Sequence, residues 1–383
     1  MKQMKSKRIG ILFIFKSRWL GGLYYLINVI KACNYLPSNE QPEIVVFYNQ
    51  RTKKYLKEID YSKVKLVEID LDFDYKRYFK SFFLRRNFYF ANDFTQHNLD
   101  VLFPFNDFIG KTRSENIDLV SWIPDFQHKF YPQYFNKLNL FLRELKFKNI
   151  VKNSNGLILS SQSAVDHFKQ FYPMKAAFAP KIVRFTSIFD VEALPSKEYV
   201  TQKYNTKREY FIVSNQFYVH KNHLIVLKAL KELKNRGIFA NILMTGRPNK
   251  SDDVTLINEI EDYIKANDLS DQVQLVGLLP REDQLALMKY ATCVIQPSKF
   301  EGWSTVIEDA KTLKRRVIAS NLDVHIEQLG DQGYFFDPEN AVELASSMDI
   351  LLNGPERFVN WGELPERTER FARSFLQGLY SKI

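Results

Sequence analysis

Cysteine is almost missing from this chain. Only Cys33 and Cys293 occur among 383 residues, too few for a disulfide scaffold and in keeping with a reducing compartment. Long apolar runs are missing as well. The longest near the start, Ile9 to Phe15, spans seven residues, where a membrane span needs about 20, and no small-residue cleavage pattern follows it. There is no Gly-x-Gly-x-x-Gly, no Gly-x-x-x-x-Gly-Lys-Ser/Thr and no Gly-x-Ser-x-Gly. A dinucleotide fingerprint, a P-loop and a hydrolase elbow are therefore unsupported. The six histidines and two cysteines show no metal-ligand spacing. Asp70-Leu71-Asp72-Phe73-Asp74 invites a divalent ion. Its alternation is fully explained by a half-exposed strand end, so no metal is expected. Internal repeats and low-complexity tracts are absent too. Together these absences predict a cytoplasmic protein that does not span a membrane.

What is present is a globular balance, 45% hydrophobic and 26% charged. The length is about twice what one core usually holds, which predicts two domains. The net charge of +10 is distributed unevenly. Residues 1–200 hold 31 basic and 19 acidic side chains, and residues 201–383 hold 23 and 25. The first half is thus expected to meet something anionic: nucleic acid, a phosphate-bearing acceptor or the inner leaflet of a membrane. Lys53-Lys54, Lys76-Arg77-Lys80 and Arg85-Arg86 are interleaved with Tyr75, Tyr78, Phe79, Phe82 and Phe83. That mixture suits a lipid interface better than a duplex, so no nucleic-acid partner is expected.

Ile9–Phe15 reads as a buried parallel strand. Gly21-Gly22 follows, then helical spacing at Leu23, Leu26, Ile27 and Ile30. Strands are predicted at 44–48, 64–69, 119–122 and 157–160. Apolar periodicity lapses over 192–208, which reads as a linker. It restarts with strands at 210–213, 240–244, 273–276, 293–296 and 316–319, separated by helices at 224–233, 257–266, 282–290 and 305–313. Alternating strands and helices with short loops predict parallel sheets covered on both faces. The expected division is 1–195, 206–365 and a C-terminal helix, 366–383, that packs back toward the first domain.

Ligands of open parallel sheets bind beyond the carboxyl ends of strands. Four such places carry chemistry. In Gln296–Glu308 (QPSKFEGWSTVIE) a strand ends, and a loop with Glu301, Gly302 and Trp303 leads through Ser304 and Thr305 into a helix. Backbone N–H groups at that helix start suit a phosphate, and the carboxylates of Glu301 and Glu308 suit hydroxyls. Asn215 and Gln216 end the first strand of the second half, with Lys221 at the following helix. A lysine is mildly disfavoured there by the helix dipole unless it meets an anion. Trp122-Ile123-Pro124-Asp125-Phe126-Gln127-His128 follows a strand of the first half. Trp19-Leu20-Gly21-Gly22 lies beyond the first strand.

The Glu301–Glu308 segment resembles the signature of retaining glycosyltransferases of the GT-B fold, the large glycogen-synthase-like and mannosyltransferase family known as glycosyltransferase group 1. The resemblance implies an α/β chain of two Rossmann-like domains with parallel sheets facing across a cleft. It implies transfer of a sugar from a nucleotide-diphosphate sugar to a glycan or a polyprenyl-diphosphate-linked acceptor, in cell-surface polysaccharide synthesis, without a cofactor or an obligatory metal. The first glutamate of the pattern contacts the donor sugar and the second binds the ribose, which here implies Glu301 and Glu308. The usual pattern places seven residues between the two glutamates, and here there are six. Lys314 stands where a glycine often closes the helix, and Gln216 replaces an arginine that would hold the diphosphate beside Lys221. Asp125 resembles the aspartate of a His-Asp pair whose histidine position is Pro124. The implied catalytic group is Glu301, Lys221, Asp125 and His128. The implied donor site is Gly21, Gly22, Asn215, Gln216, Lys221, Gly246, Leu278, Glu301, Gly302, Trp303, Ser304, Thr305 and Glu308. Residence at the inner face of the membrane is a further expectation. Two alternatives remain: a sugar-nucleotide epimerase of the same fold, and a non-catalytic nucleotide-binding relative.

Overall fold

The computed structural model describes residues 8–14, 20–69, 94–106, 117–172, 179–206, 209–247, 254–354 and 358–380. The chain divides into two compact units. One comprises Met1–Ile188 together with Glu363–Ile383, and the other Phe189–Gly362.

The first unit is built on a seven-stranded sheet in the order β3-β2-β1-β4-β5-β6-β7. Its strands are β1 (Arg8–Phe13), β2 (Glu43–Tyr48), β3 (Val64–Glu68), β4 (Val101–Phe103), β5 (Asp118–Trp122), β6 (Gly156–Leu159) and β7 (Lys181–Ile182). Every pairing is parallel. β1 reads as an apolar run because helices cover both its faces: Ile9, Ile11 and Phe13 have no exposed surface. The helix Leu20–Ala32 crosses from β1 to β2 and buries Tyr25, whose ring stacks on Trp122 with centroids 4.0 Å apart. The C-terminal helix Leu364–Tyr380 inserts Phe371 and Phe375 into this core, Phe375 meeting Phe103 edge-on at 5.1 Å. On its outer side Arg373 pairs with Glu40 at 2.6 Å.

The second unit carries a six-stranded parallel sheet, β10-β9-β8-β11-β12-β13. Its strands are β8 (Phe211–Ser214), β9 (Ile242–Thr245), β10 (Val273–Gly277), β11 (Cys293–Gln296), β12 (Val317–Ser320) and β13 (Tyr334–Phe336). Counted within the unit, the order is 3-2-1-4-5-6, the doubly wound Rossmann arrangement, and the first six strands of the other sheet follow it too. The direction of winding reverses between β8 and β11, so the loops leaving their carboxyl ends diverge and open a crevice.

The segment 192–208 is not the predicted linker. It contains the helix Lys197–Tyr204, capped by Ser196 and anchored by buried Val200. Lys203 and Tyr204 both bond to Asp283 on the helix Arg281–Tyr290, so this piece is part of the second unit. β4, β7 and β13, of three, two and three residues, were too short to be marked by periodicity. Among the described residues no helix is long and apolar enough to cross a membrane.

Candidate active site at the carboxyl edge of the second sheet

The crevice between β8 and β11 is where the predicted residues gather. Asn215, just past β8, donates from Nδ2 to Gln296 Oε1 at the end of β11, 2.8 Å away, and joins the two loops. The β8 loop then makes one tight turn, Val219–Lys221, and Asn222 at φ +57° redirects the chain into the helix His223–Asn235. That turn places Lys221 beside the β11 loop. Its Nζ forms an ion pair with Glu301 Oε1, the two side chains being only 17% and 11% exposed. The same carboxylate oxygen accepts hydrogen bonds from Gln296 Nε2 and Ser298 Oγ, each at 2.8 Å.

The charge at this point is held as one buried pair. Burial pushes the Glu301 carboxyl up, but the Lys221 ammonium and the hydrogen bond it donates outweigh that and hold it below the usual carboxylate range. His325 on the helix Asp323–Leu329 and His220 on the β8 loop are both pushed down to about 4, chiefly by burial. His325 Nδ1 lies 2.9 Å from the carbonyl oxygen of Ser320, the last residue of β12. At neutral pH both imidazoles are uncharged, and the Lys221 ammonium faces the Glu301 carboxylate.

The helix Thr305–Thr312 begins at Ser304, whose Oγ accepts from Ile307 N. Gln328 clamps this start. Its Oε1 accepts from Ser304 N at 2.9 Å, and its Nε2 donates to Ser304 O at 3.0 Å and to Glu308 Oε1 at 3.1 Å. Lys311 bonds to both Glu308 Oε1 and the Gln328 carbonyl, each at 3.1 Å. The Ser304 N–H, expected to face a phosphate, is taken by Gln328. Glu308 is turned toward the helix Asp323–Leu329, where its carboxylate serves the clamp. The next residue, Asp309, lies on another face of its helix and is gripped by Arg281 through two hydrogen bonds, at 2.8 and 2.5 Å. Seven residues separate Glu301 from Asp309, the spacing of the resemblance. Arg281 lies three residues beyond Leu278, which is 53% exposed just past β10.

Gln216 Oε1 accepts from Arg247 N at 2.9 Å and so fixes the loop after β9. Gly246 in that loop has no room for a side chain, because a Cβ there would sit 2.0 Å from the Asn215 carbonyl oxygen. Lys314, at φ +54°, takes the left-handed conformation that a glycine adopts without strain at a helix end.

In the first unit the candidate residues follow β1 and β5. Gly21 and Gly22 form part of the first turn of the helix Leu20–Ala32 rather than a preceding loop. Asp125 Oδ1 accepts from Gln127 N at 3.0 Å and opens the short helix Gln127–Phe130. His128 is buried, meets Phe147 edge-on at 5.0 Å, and is pushed down to about 4, chiefly by burial. Neither of its ring nitrogens has a hydrogen-bond partner. Trp19, the aspartates 70, 72 and 74, and the basic clusters of 76–86 lie outside the described residues. Among the described residues no group of three or more His, Cys, Asp or Glu side chains is placed to hold a metal ion.

Comparison with known proteins bears on the same region. The family model for glycosyl transferases group 1 matches residues 197–374. An alpha-D-kanosaminyltransferase of Streptomyces kanamyceticus is 26% identical over 133 residues, 34% of this chain and 33% of that protein. The match thus spans about a third of that relative's length. A glycosyltransferase structure from Rickettsia africae superposes with a TM-score of 0.63 at 16% identity, covering 98% of this chain and 95% of that one. Anabaena HepE in complex with UDP-glucose gives 0.62 at 16% identity, covering 97% and 94%. These solved structures share the GT-B fold of this chain over nearly its whole length. The part of the chain that holds the Lys221–Glu301 crevice, residues 197–374, thus matches the group 1 glycosyl transferases.

Proposed function

We propose that the chain moves a sugar from a nucleotide-diphosphate sugar to a hydroxyl of a glycan or a lipid-linked acceptor, with retention at the anomeric carbon. The observation that carries this reading is the buried Lys221–Glu301 pair at the switch point of the second sheet. A cation and a hydroxyl-accepting carboxylate, fixed side by side where α/β sheets bind ligands, match the two ends of the bond to be broken. The diphosphate takes Lys221 from Glu301. The released carboxylate then accepts hydrogen bonds from sugar hydroxyls and favours the positive charge that grows on the sugar ring.

In the transfer step the bond from the anomeric carbon to the phosphate oxygen breaks and the acceptor oxygen bonds to that carbon on the same face. The acceptor's proton passes to the departing phosphate oxygen. Lys221 and the Thr305 N–H, at the first residue of its helix, stabilise the leaving charge. Leu278, exposed just past β10, supplies an apolar surface beside the base. Relatives support the donor class: one solved structure holds UDP-glucose, and the kanosaminyltransferase is named for sugar transfer. UDP-sugars are thus the first donors to test. Cell-surface polysaccharide is the assigned destination of the product, and no metal is assigned to the step.

Lys221→Ala and Glu301→Ala should each lower transfer by at least about tenfold, the loss expected when one charge-assisted contact of roughly 1.5–3 kcal/mol is removed, with the fold retained as read by circular dichroism. Full turnover in both variants would sink the proposal. Incubation with donor alone separates it from an epimerase, which would convert the sugar without an acceptor.

A further inference from the structure

The helix Asp323–Leu329 holds the loop that carries Glu301 at both ends, through two side chains spaced i, i+3 and so on one face. Gln328 clamps the far end at Ser304. His325 serves the near end. Its Nδ1 lies 2.9 Å from the Ser320 carbonyl oxygen and 3.1 Å from Ser320 Oγ. A carbonyl can only accept, and Ser320 Oγ spends its own proton on the Ser298 carbonyl oxygen, 2.5 Å away. The imidazole proton therefore sits on Nδ1 and is donated to Ser320.

The line of bonds continues from Ser298 to the carboxylate. Ser298 Oγ donates to Glu301 Oε1 at 2.8 Å and accepts from Gln296 Nε2 at 3.2 Å, and Gln296 Nε2 also donates to Glu301 Oε1 at 2.8 Å. Gln296, Ser298, Ser320 and His325 have no exposed surface. In such a dry network each member orients the next, because a broken link leaves a buried polar group unpaired. The other ring nitrogen of His325, Nε2, is buried without a hydrogen-bond partner. The polar work of the ring thus falls to Nδ1. A proton on Nε2 would bury an unpaired donor in the field of the Lys221 ammonium, so the ring stays neutral.

We propose that His325 is a positioning residue for sugar transfer: through Ser320 it fixes Ser298, and through Ser298 it fixes the Glu301 carboxylate. The inference rests on the reading of Glu301 as the acceptor of the sugar's hydroxyls. It divides the labour of one short helix. Gln328 sets the start of the Thr305–Thr312 helix, which meets the diphosphate, and His325 sets the carboxylate that meets the sugar. Loss of His325 is therefore felt in turnover of the sugar and not in binding of the diphosphate. Small displacements suffice, since a misplacement of about 1 Å at a reacting centre costs on the order of a hundredfold in rate.

The test compares the unaltered chain with His325→Leu, His325→Asn, Ser320→Ala and Glu301→Ala. Turnover of UDP-glucose is followed as release of UDP, with water in place of the acceptor, and binding of UDP by titration calorimetry. His325→Leu fills the site but cannot donate, and Ser320→Ala removes the hydroxyl that reaches Ser298. Each should lower kcat about tenfold while UDP binds at least as tightly as before. His325→Asn carries its amide nitrogen near the place of Nδ1 and should recover most of the lost rate, which a packing role for the ring would not give. Combining His325→Leu with Ser320→Ala should cost no more than the worse of the two, because both cut one chain of bonds. Should His325→Leu fail to fold, Ser320→Ala carries the same test with the loss of a single hydroxyl. The nitrogen-15 spectrum of the imidazole should show a protonated Nδ1 and a bare Nε2 at neutral pH. Full turnover by Ser320→Ala beside an impaired Glu301→Ala overturns the inference and leaves the donor reading standing. A proton found on Nε2, or UDP binding that weakens in step with turnover, overturns it too. Full turnover by Glu301→Ala overturns the donor reading, and this inference with it.

Discussion

Glu301→Gln separates the two roles assigned to the crevice, because the carboxylate opposes one part of the donor and serves another. Without ligand, Lys221 is bonded to Glu301. A diphosphate must therefore displace a charge-assisted hydrogen bond worth roughly 1.5–3 kcal/mol before it gains its own. The amide keeps the volume and an acceptor for Ser298 Oγ, but it no longer competes for the ammonium. Binding of the free nucleoside diphosphate should tighten by about 1.4 kcal/mol, or tenfold. Sugar transfer should fall by at least about tenfold, since a buried carboxylate that accepts sugar hydroxyls discriminates by more than that when its hydrogen bonds are lost. Folding should suffer little, because Lys221 at 17% exposure can turn its ammonium to water. Titration calorimetry with UDP, GDP and dTDP gives the first quantity, and initial rates of transfer give the second. Weaker diphosphate binding in the variant, or transfer at the full rate, would refute the reasoning that Glu301 holds Lys221 in reserve.

Other consequences are independent of the donor's identity. Lys314→Gly relieves a left-handed residue at φ +54° and should raise stability by about 0.5–1 kcal/mol, read from urea midpoints. Gly246→Ala forces a methyl against the Asn215 carbonyl oxygen, where an added Cβ lies at 2.0 Å; it should shift the β8 and β9 loops and cost at least about 2 kcal/mol. Gln328→Ala deletes three hydrogen bonds at the start of the Thr305–Thr312 helix, about 1 kcal/mol each, and should raise the donor KM more than it lowers kcat. Stability should also depend on pH through His223 and His325, pushed down to about 3 and about 4 by burial. Their folded values lie below the unfolded value near 6.5, so the stabilisation is complete above that pH and is lost as pH falls toward the folded values. Between pH 7.5 and 5.5 each should cost about 1.3 kcal/mol, and a flat stability profile over that range would contradict their buried, neutral state.

The sequence was most legible where chain physics is local. β1, β2, β5, β6 and most strands of the second unit are apolar runs buried on both faces, and the runs appear in the sequence as such. The helix Lys197–Tyr204 was hidden because only Val200 is buried and the rest of it is polar, so its apolar face is too narrow to show a period. β4 and β13 have three residues each and draw their stability from neighbours rather than from pattern. In the candidate site, Lys221, Glu301, Asn215 and Gly246 were legible because loops after parallel strands converge on one edge. Their partners were not. Gln328 and Arg281 act across 24 and 28 positions of sequence, and no spacing rule links a clamp to the loop it holds. Glu308 and Asp309 show the same limit: adjacent carboxylates look alike in a sequence, while the helix turns one toward Gln328 and the other toward Arg281.

Calorimetric titration of UDP-, GDP-, dTDP- and CMP-sugars into the unaltered chain and into Lys221→Ala bears most directly on the donor site. Saturable binding of one nucleotide sugar, weakened about tenfold or more when the ammonium of Lys221 is gone, is the predicted result. Binding that ignores the loss of Lys221, or no binding by any of the four, would contradict the account.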